Sequence, residues 1–163
     1  MFAPLIAYHV EREDELENLR RSNVELSSQA LADPLTGVAN RRALMVELGR
    51  MLMRATRESR KLQIAFIDLD DFKAINDQYG NEVGDVFLKQ VAGRLAANVR
   101  SSDLVARYGG DEFVVVTEGS EDSTLDQRLQ MLIVGQYTCG AVTFNYGGAS
   151  IGLIASELGA TEP

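Results

Sequence analysis

The sequence predicts an α/β fold of the α+β sandwich kind, with helices packed against one sheet. Three observations carry this. Leu62 to Leu69 is a short apolar run bounded by polar residues, the pattern of a buried strand. Leu88, Val91, Leu95 and Val99 recur at spacings of three and four, the pattern of an amphipathic helix. Two apolar runs, Leu104 to Tyr108 and Phe113 to Thr117, flank Gly109-Gly110 and read as a β-hairpin, so the strands are at least partly antiparallel.

In chain order, Glu11 to Arg21 consists almost wholly of charged residues and good helix formers, without glycine or proline. Leu5, His9, Arg12, Leu16, Leu19, Asn23, Leu26 and Ala30 follow a heptad seam, and a polar Asn23 in its middle is how short parallel coiled coils fix register. The alternative is an amphipathic helix lying on its own domain; the length and polarity of the rest of the helix favour the coiled coil. His9 is expected to be a solvated seam position. Asp33-Pro34 ends this helix, because a residue before proline is pushed out of the helical region, and Thr36-Gly37 continues the turn. The predicted division is therefore a helical stalk over 1–32 and one domain over 33–163.

Asn40 reads as the N-cap of a second helix that runs through Leu44, Leu48, Leu52 and Ala55 to about Ser59. After the strand at Leu62 to Leu69, Asp70-Asp71 starts a short helix around Phe72 to Gln78. Gly80 and Gly84 bracket a loop, and Asp85 opens the next helix. Beyond the hairpin come a helix at Ser123 to Val134 and two short strands, near Cys139 to Phe144 and at Ala149 to Ala155.

Bulk properties narrow the classes of function. The chain has 163 residues, 45% hydrophobic and 25% charged, enough for one domain with a real core plus an appendage. A net charge of −8 argues against a general nucleic-acid binder, which needs a basic face to neutralise phosphates. It is compatible with a nucleotide that arrives with a divalent cation. A single cysteine, Cys139, cannot form an intramolecular disulfide and fits a reducing, cytoplasmic setting; its flanks read as a buried strand. The run Phe2 to Tyr8 is too short to span a bilayer and has no basic residue before it, so neither a membrane helix nor a signal peptide is expected.

Candidate chemistry collects where strands end. Asp68 lies near the end of the first strand, and Asp111 and Glu112 lie at the hairpin tip beside Gly109 and Gly110. Carboxylates in such places suit a hard divalent cation, and glycines let a phosphate or base approach the backbone. A neighbouring carboxylate could deprotonate a ribose hydroxyl that attacks an α-phosphate. On spacing alone, solvated turn acids are an equal reading.

The stretch Arg107-Tyr108-Gly109-Gly110-Asp111-Glu112-Phe113 resembles the signature of the GGDEF family of diguanylate cyclases. It does not stand alone. Asp33-Pro34-Leu35-Thr36-Gly37 with Asn40-Arg41-Arg42 is similar to the family's opening motif. Phe66-Ile67-Asp68-Leu69-Asp70, Phe72-Lys73 and Ile75-Asn76-Asp77 are similar to its metal strand and guanine loop, and Gly84-Asp85 to the pair that follows. The resemblance runs from Asp33 to Gly152 and implies a polymerase-palm-like, nucleotide-cyclase-like domain with a central antiparallel sheet flanked by helices.

It also implies roles. Asp68, Asp111 and Glu112 would ligate Mg²⁺ or Mn²⁺, with Leu69 offering a backbone carbonyl and Asp111 serving as base for the ribose 3′-hydroxyl. Asn76 and Asp85 would hydrogen-bond guanine, Lys73 would contact phosphate next to Phe72, and Gly109 and Gly110 would admit the substrate. Asp85 capping its own helix and Lys73 as a plain surface charge are the structural alternatives. Arg100-Ser101-Ser102-Asp103, with five residues between Asp103 and Gly109, resembles the inhibitory site for product cyclic di-GMP, to which Arg128 could add a contact.

Two departures stand out. Asn81 occupies a place where the family usually has histidine, and the family's later helix and G-R-N stretch are not found before Pro163. The expectation is a C-terminally truncated domain with uncovered apolar surface and less triphosphate neutralisation. The implied activity is condensation of two GTP into cyclic di-GMP and two pyrophosphates by a homodimer. The alternatives are a domain that only binds cyclic di-GMP, and a related palm-fold nucleotidyl transferase or nucleotide cyclase without the guanine pair.

Overall fold

The computed structural model describes residues 3–156, without the side chains of residues 26–29, so the Leu26 seam position and residues 157–163 lie outside the described residues. The chain divides into two units, Met1–Leu31 and Ala32–Pro163.

The first unit is one helix, α1 (Ala3–Gln29). Its described side chains are exposed, including Leu5, Leu16 and Leu19. His9 is exposed too, its ring at 6.1 Å from that of Tyr8.

The second unit is built on a four-stranded antiparallel sheet in the order β2-β3-β1-β6, comprising β1 (Lys61–Leu69), β2 (Leu104–Arg107), β3 (Glu112–Gly119) and β6 (Ala149–Ala155). Alternation decides which side chains go to which face. Ala65, Ile67 and Leu69 of β1 and Phe113 and Val115 of β3 pack under α4 (Asn81–Ala97) and α5 (Leu125–Ile133) in the larger core. Leu62 of β1 and Val114 and Val116 of β3 point the other way, against Leu44, Met51 and Ala55 of α2 (Arg41–Glu58). Helices therefore cover both faces, where the sequence suggested packing against one sheet without saying how. On the α2 face, Phe66 and Ile154 remain 44% and 56% exposed.

Local signals explain α2 well. The Asn40 side chain accepts a hydrogen bond from the Ala43 amide, which satisfies one of the donors a helix start leaves open. At the far end Ser59 turns left-handed, φ 53°, and donates its amide back to the carbonyls of Ala55 and Thr56.

Two expectations need correction. The segment Gly80 to Gly84 is not a loop: α3 (Phe72–Tyr79) ends at Gly80, φ 93°, and α4 begins at once at Asn81, so Asp85 lies within α4 and caps nothing. One left-handed glycine is enough to turn the corner. The expected strand near Cys139 to Phe144 is a hairpin, β4 (Gly135–Cys139) and β5 (Val142–Tyr146), turning at Gly140, φ 64°, and forming its own two-stranded sheet. Cys139 is buried there, and burial pushes its thiol pKa up, as suits an inert core residue.

Candidate functional site

The antiparallel register of β1 and β3 sets Asp68 directly opposite Glu112. Directly paired residues in a sheet project to the same side, and here both side chains are exposed and line one cleft with Tyr108, Phe66 and Ser150. Asp111 sits in the turn just before β3, and its carbonyl accepts the Leu69 amide at 3.0 Å, which clamps the hairpin tip to the end of β1. The Asp68 carboxyl pKa is raised, first by loss of solvent around it and then by repulsion from Asp111 and Asp70. Gathered negative charge of this kind is the electrostatic condition that a bound metal relieves.

The donor set, all oxygen, fits a hard divalent cation. Among the described residues, no three acidic, histidine or cysteine side chains converge into a ready cage. Mg²⁺ does not require one, because it is commonly held by one or two carboxylates together with waters and substrate phosphates. Asp68 and Glu112 supply the opposed pair, and Asp111 borders it. Gly109 leaves room for Glu112: a Cβ on it would lie 2.5 Å from a Glu112 carboxylate oxygen.

The nucleotide-side candidates come together on the α3–α4 helical hairpin. Phe72 opens α3 and stacks on Phe87 of α4, with ring centres 6.2 Å apart. Lys73 and Asp85 are exposed, while Asn76 is partly buried against the glycine step of α4. Asp71 enters α3 in the left-handed region, φ 57°. The corner before it is held from outside, since Tyr146 donates its hydroxyl to the Asp70 carbonyl at 2.7 Å and Ser150 to the Asp70 carboxylate at 2.8 Å.

Arg107 is the residue whose role the sequence did not disclose. Its guanidinium donates to the carbonyls of Gly109 and Gly110 and pairs with Asp33 at 3.2 Å, with 17% and 14% of the two side chains exposed. It therefore ties the glycine turn to the first residues of the domain. Asp33 is itself organised locally, accepting from the Thr36 amide and hydroxyl. The segment behind it adds to the edge of the sheet, with the Arg107 amide donating to the Ala39 carbonyl at 2.8 Å. Burial pulls the Asp33 pKa up, but the Thr36 bonds and Arg107 outweigh it, and the pKa ends below its ordinary value.

Arg100 and Asp103 stand elsewhere, at the turn between α4 and β2. They line a cavity of about 350 Å³ with Arg128, Glu118 and Asp122. The Asp103 carboxylate accepts the backbone amides of Arg100 at 2.8 Å and Glu118 at 3.3 Å, so it has a structural task as well. The Arg100 side chain is exposed, and Arg128 pairs with Asp122.

Similarity to known proteins agrees with this geometry. The sequence pattern of the family described as "Diguanylate cyclase, GGDEF domain" matches residues 30–157. Diguanylate cyclase DgcP of Escherichia coli K12 is 43% identical over 157 residues, which is 94% of this chain and 46% of that protein. The chain thus spans about half the length of that curated relative. Among solved structures, a sensory box/GGDEF family protein of Caulobacter crescentus superimposes with a TM-score of 0.73 at 34% identity, covering 77% of this chain and 83% of that one. The GGDEF domain of DgcB from the same organism, solved in complex with c-di-GMP, gives 0.70 at 26% identity over 80% of each chain. With the signature on the β2–β3 turn and its Glu112 paired with Asp68 of β1, the chain belongs to the GGDEF domain family.

Proposed function

We propose that this domain is a diguanylate cyclase that condenses two GTP into cyclic di-GMP with release of two pyrophosphates. The observation that carries the reading is the pairing of Asp68 with Glu112 across β1 and β3, at the mouth of the Gly109-Gly110 turn. When bound, Mg²⁺ or Mn²⁺ held by Asp68, Glu112, Asp111 and the Leu69 carbonyl would neutralise triphosphate oxygens and polarise the α-phosphate. Asp85 accepts from the guanine N1 and N2 hydrogens while Asn76 bonds the same base. Lys73 attracts phosphate as a point charge, and Phe72 supports the helix that carries both Lys73 and Asn76.

One domain holds one GTP, so the 3′-hydroxyl of one nucleotide attacks the α-phosphorus of the other across two facing domains. Asp111 takes the hydroxyl proton, the new P–O bond forms, and the bond to pyrophosphate breaks; repetition in the other direction closes the ring. A homodimer built through α1 would face the domains. Leu16→Glu with Leu19→Glu is then expected to give monomers by light scattering and at least a tenfold loss of turnover; full turnover by monomers would refute the dimer. A cytoplasmic location fits the reducing setting inferred from Cys139, and no helix among the described residues is long and apolar enough to cross a membrane.

The cavity beside Arg100, Asp103 and Arg128 favours a second reading, a binding site for cyclic di-GMP that inhibits the enzyme or makes the domain a receptor. An arginine fork can pair with phosphate or with a guanine edge. Asp111→Ala is expected to abolish product while Arg100→Ala leaves initial rates intact and weakens cyclic di-GMP binding about tenfold, the loss of one charge-assisted bond. A chain that binds cyclic di-GMP through Arg100 but never turns over GTP would favour the receptor.

A further inference from the structure

In the interior of the α3–α4 hairpin, Gly84 is buried within helix α4, where glycine costs about 1 kcal/mol relative to alanine. Its φ is not left-handed, so backbone conformation does not require glycine there. What requires it is space. A Cβ on Gly84 would lie 1.8 Å from the Asn76 Oδ1 and 2.9 Å from its Cγ, separations no side chain can keep, while Phe72 would meet it at 3.4 Å. The Asn76 Oδ1 is buried and has no hydrogen-bond partner. It packs against the glycine, which offers only a C–H, a weak contact.

An amide has one accepting and one donating end. With Oδ1 enclosed against Gly84, only the Nδ2 hydrogens remain for a ligand. We propose that Gly84 is a positioning residue that seats the Asn76 amide with its oxygen inward, so that Asn76 recognises the base solely as a donor. This rests on the reading of Asn76 and Asp85 as the guanine pair and sharpens it. The base must offer an acceptor to Asn76 and N–H donors to Asp85, as guanine does with O6, N1 and N2. Adenine presents an amino donor in place of O6 and lacks the N1 and N2 hydrogens.

The test is a double-mutant cycle on the full chain with Gly84→Ala, Asn76→Ala and the combination. It reads melting temperature and equilibrium binding of a fluorescent GTP analogue and its ATP counterpart. Gly84→Ala is expected to weaken the GTP analogue about tenfold, the loss of one oriented hydrogen bond, with little change for the ATP analogue. In the Asn76→Ala background, the same substitution should have less than a twofold effect on binding. The melting temperature lost in Gly84→Ala should return in the double variant, since removing the amide makes room for the methyl group. Equal losses in both backgrounds, or no loss of GTP affinity in Gly84→Ala when Asn76→Ala does weaken it, would overturn the proposal alone. Asn76→Ala without effect on GTP affinity would overturn the guanine reading and the proposal together.

Discussion

Asp68→Asn is expected to lower cyclic di-GMP formation on the order of 10³-fold, the range seen when one group that stabilises transition-state charge is removed, and to leave the melting temperature unchanged or slightly raised. The two effects have one origin. In the folded domain Asp68 has lost part of its solvent and faces Asp111 and Asp70, so its pKa is raised. A carboxyl with a folded pKa above its unfolded value opposes folding once it is ionised; the penalty sets in as pH rises from the ordinary carboxylate pKa to the raised folded one and is constant above it. At neutral pH asparagine removes that repulsion, although solvent screening at this exposed position keeps the gain small. Activity is expected to fall because, in the proposed reaction, the same charge would hold the cation. Thermal melts and turnover of both proteins check the pair of outcomes; a less stable Asp68→Asn domain would contradict this electrostatic account.

Arg107→Ala is expected to reduce both stability and turnover, with about 2–4 kcal/mol lost in unfolding free energy because a partly buried Asp33 charge is stranded. Besides the ion pair with Asp33, the substitution removes the bonds that fix the Gly109 and Gly110 carbonyls. The glycine turn then loses the restraint that orients Asp111 and Glu112. The pH dependence has a definite sign. The Asp33 pKa lies below its ordinary value, so its contribution is present above the unfolded carboxylate pKa near 3.8 and is lost as pH falls through the lower folded value. Asp33→Asn should therefore flatten the acid limb of the stability curve. Chemical denaturation of Arg107→Ala, Asp33→Asn and the double variant from pH 3 to 7 checks this, and additive losses would contradict direct coupling.

Arg107 also marks the limit of what the chain discloses by its order of residues. It stands inside a recognisable signature, yet its partner Asp33 is 74 positions away and reads locally as a helix breaker before proline. Only the edge pairing of Ala39 with Ala106 brings the two segments together. Where a signal is local, the reading held: Asn40 caps α2 through its own side chain, and the Leu62 to Leu69 run is β1 to within one residue. Where a tertiary contact overrides local preference, it failed. Gly84 reads as a loop residue because glycine disfavours helices, and its place in α4 makes sense only with Asn76 packed against it. The β4–β5 turn was missed because Gly140 interrupts an otherwise strand-like run by a single left-handed step. For the site, the acids at Asp68, Asp111 and Glu112 were legible as strand-end carboxylates. Their opposition depends on the β1–β3 register, which no single segment contains.

The most direct test of the central claim is to incubate the purified 163-residue chain with GTP and Mg²⁺ and resolve the nucleotides by chromatography with mass detection, with ATP as the control. Cyclic di-GMP formed from GTP, with two pyrophosphates released for each and no dinucleotide from ATP, is the predicted result. Unchanged GTP in the presence of a folded protein that binds cyclic di-GMP would contradict the cyclase reading for this chain and leave the site at Arg100 and Asp103 as its function.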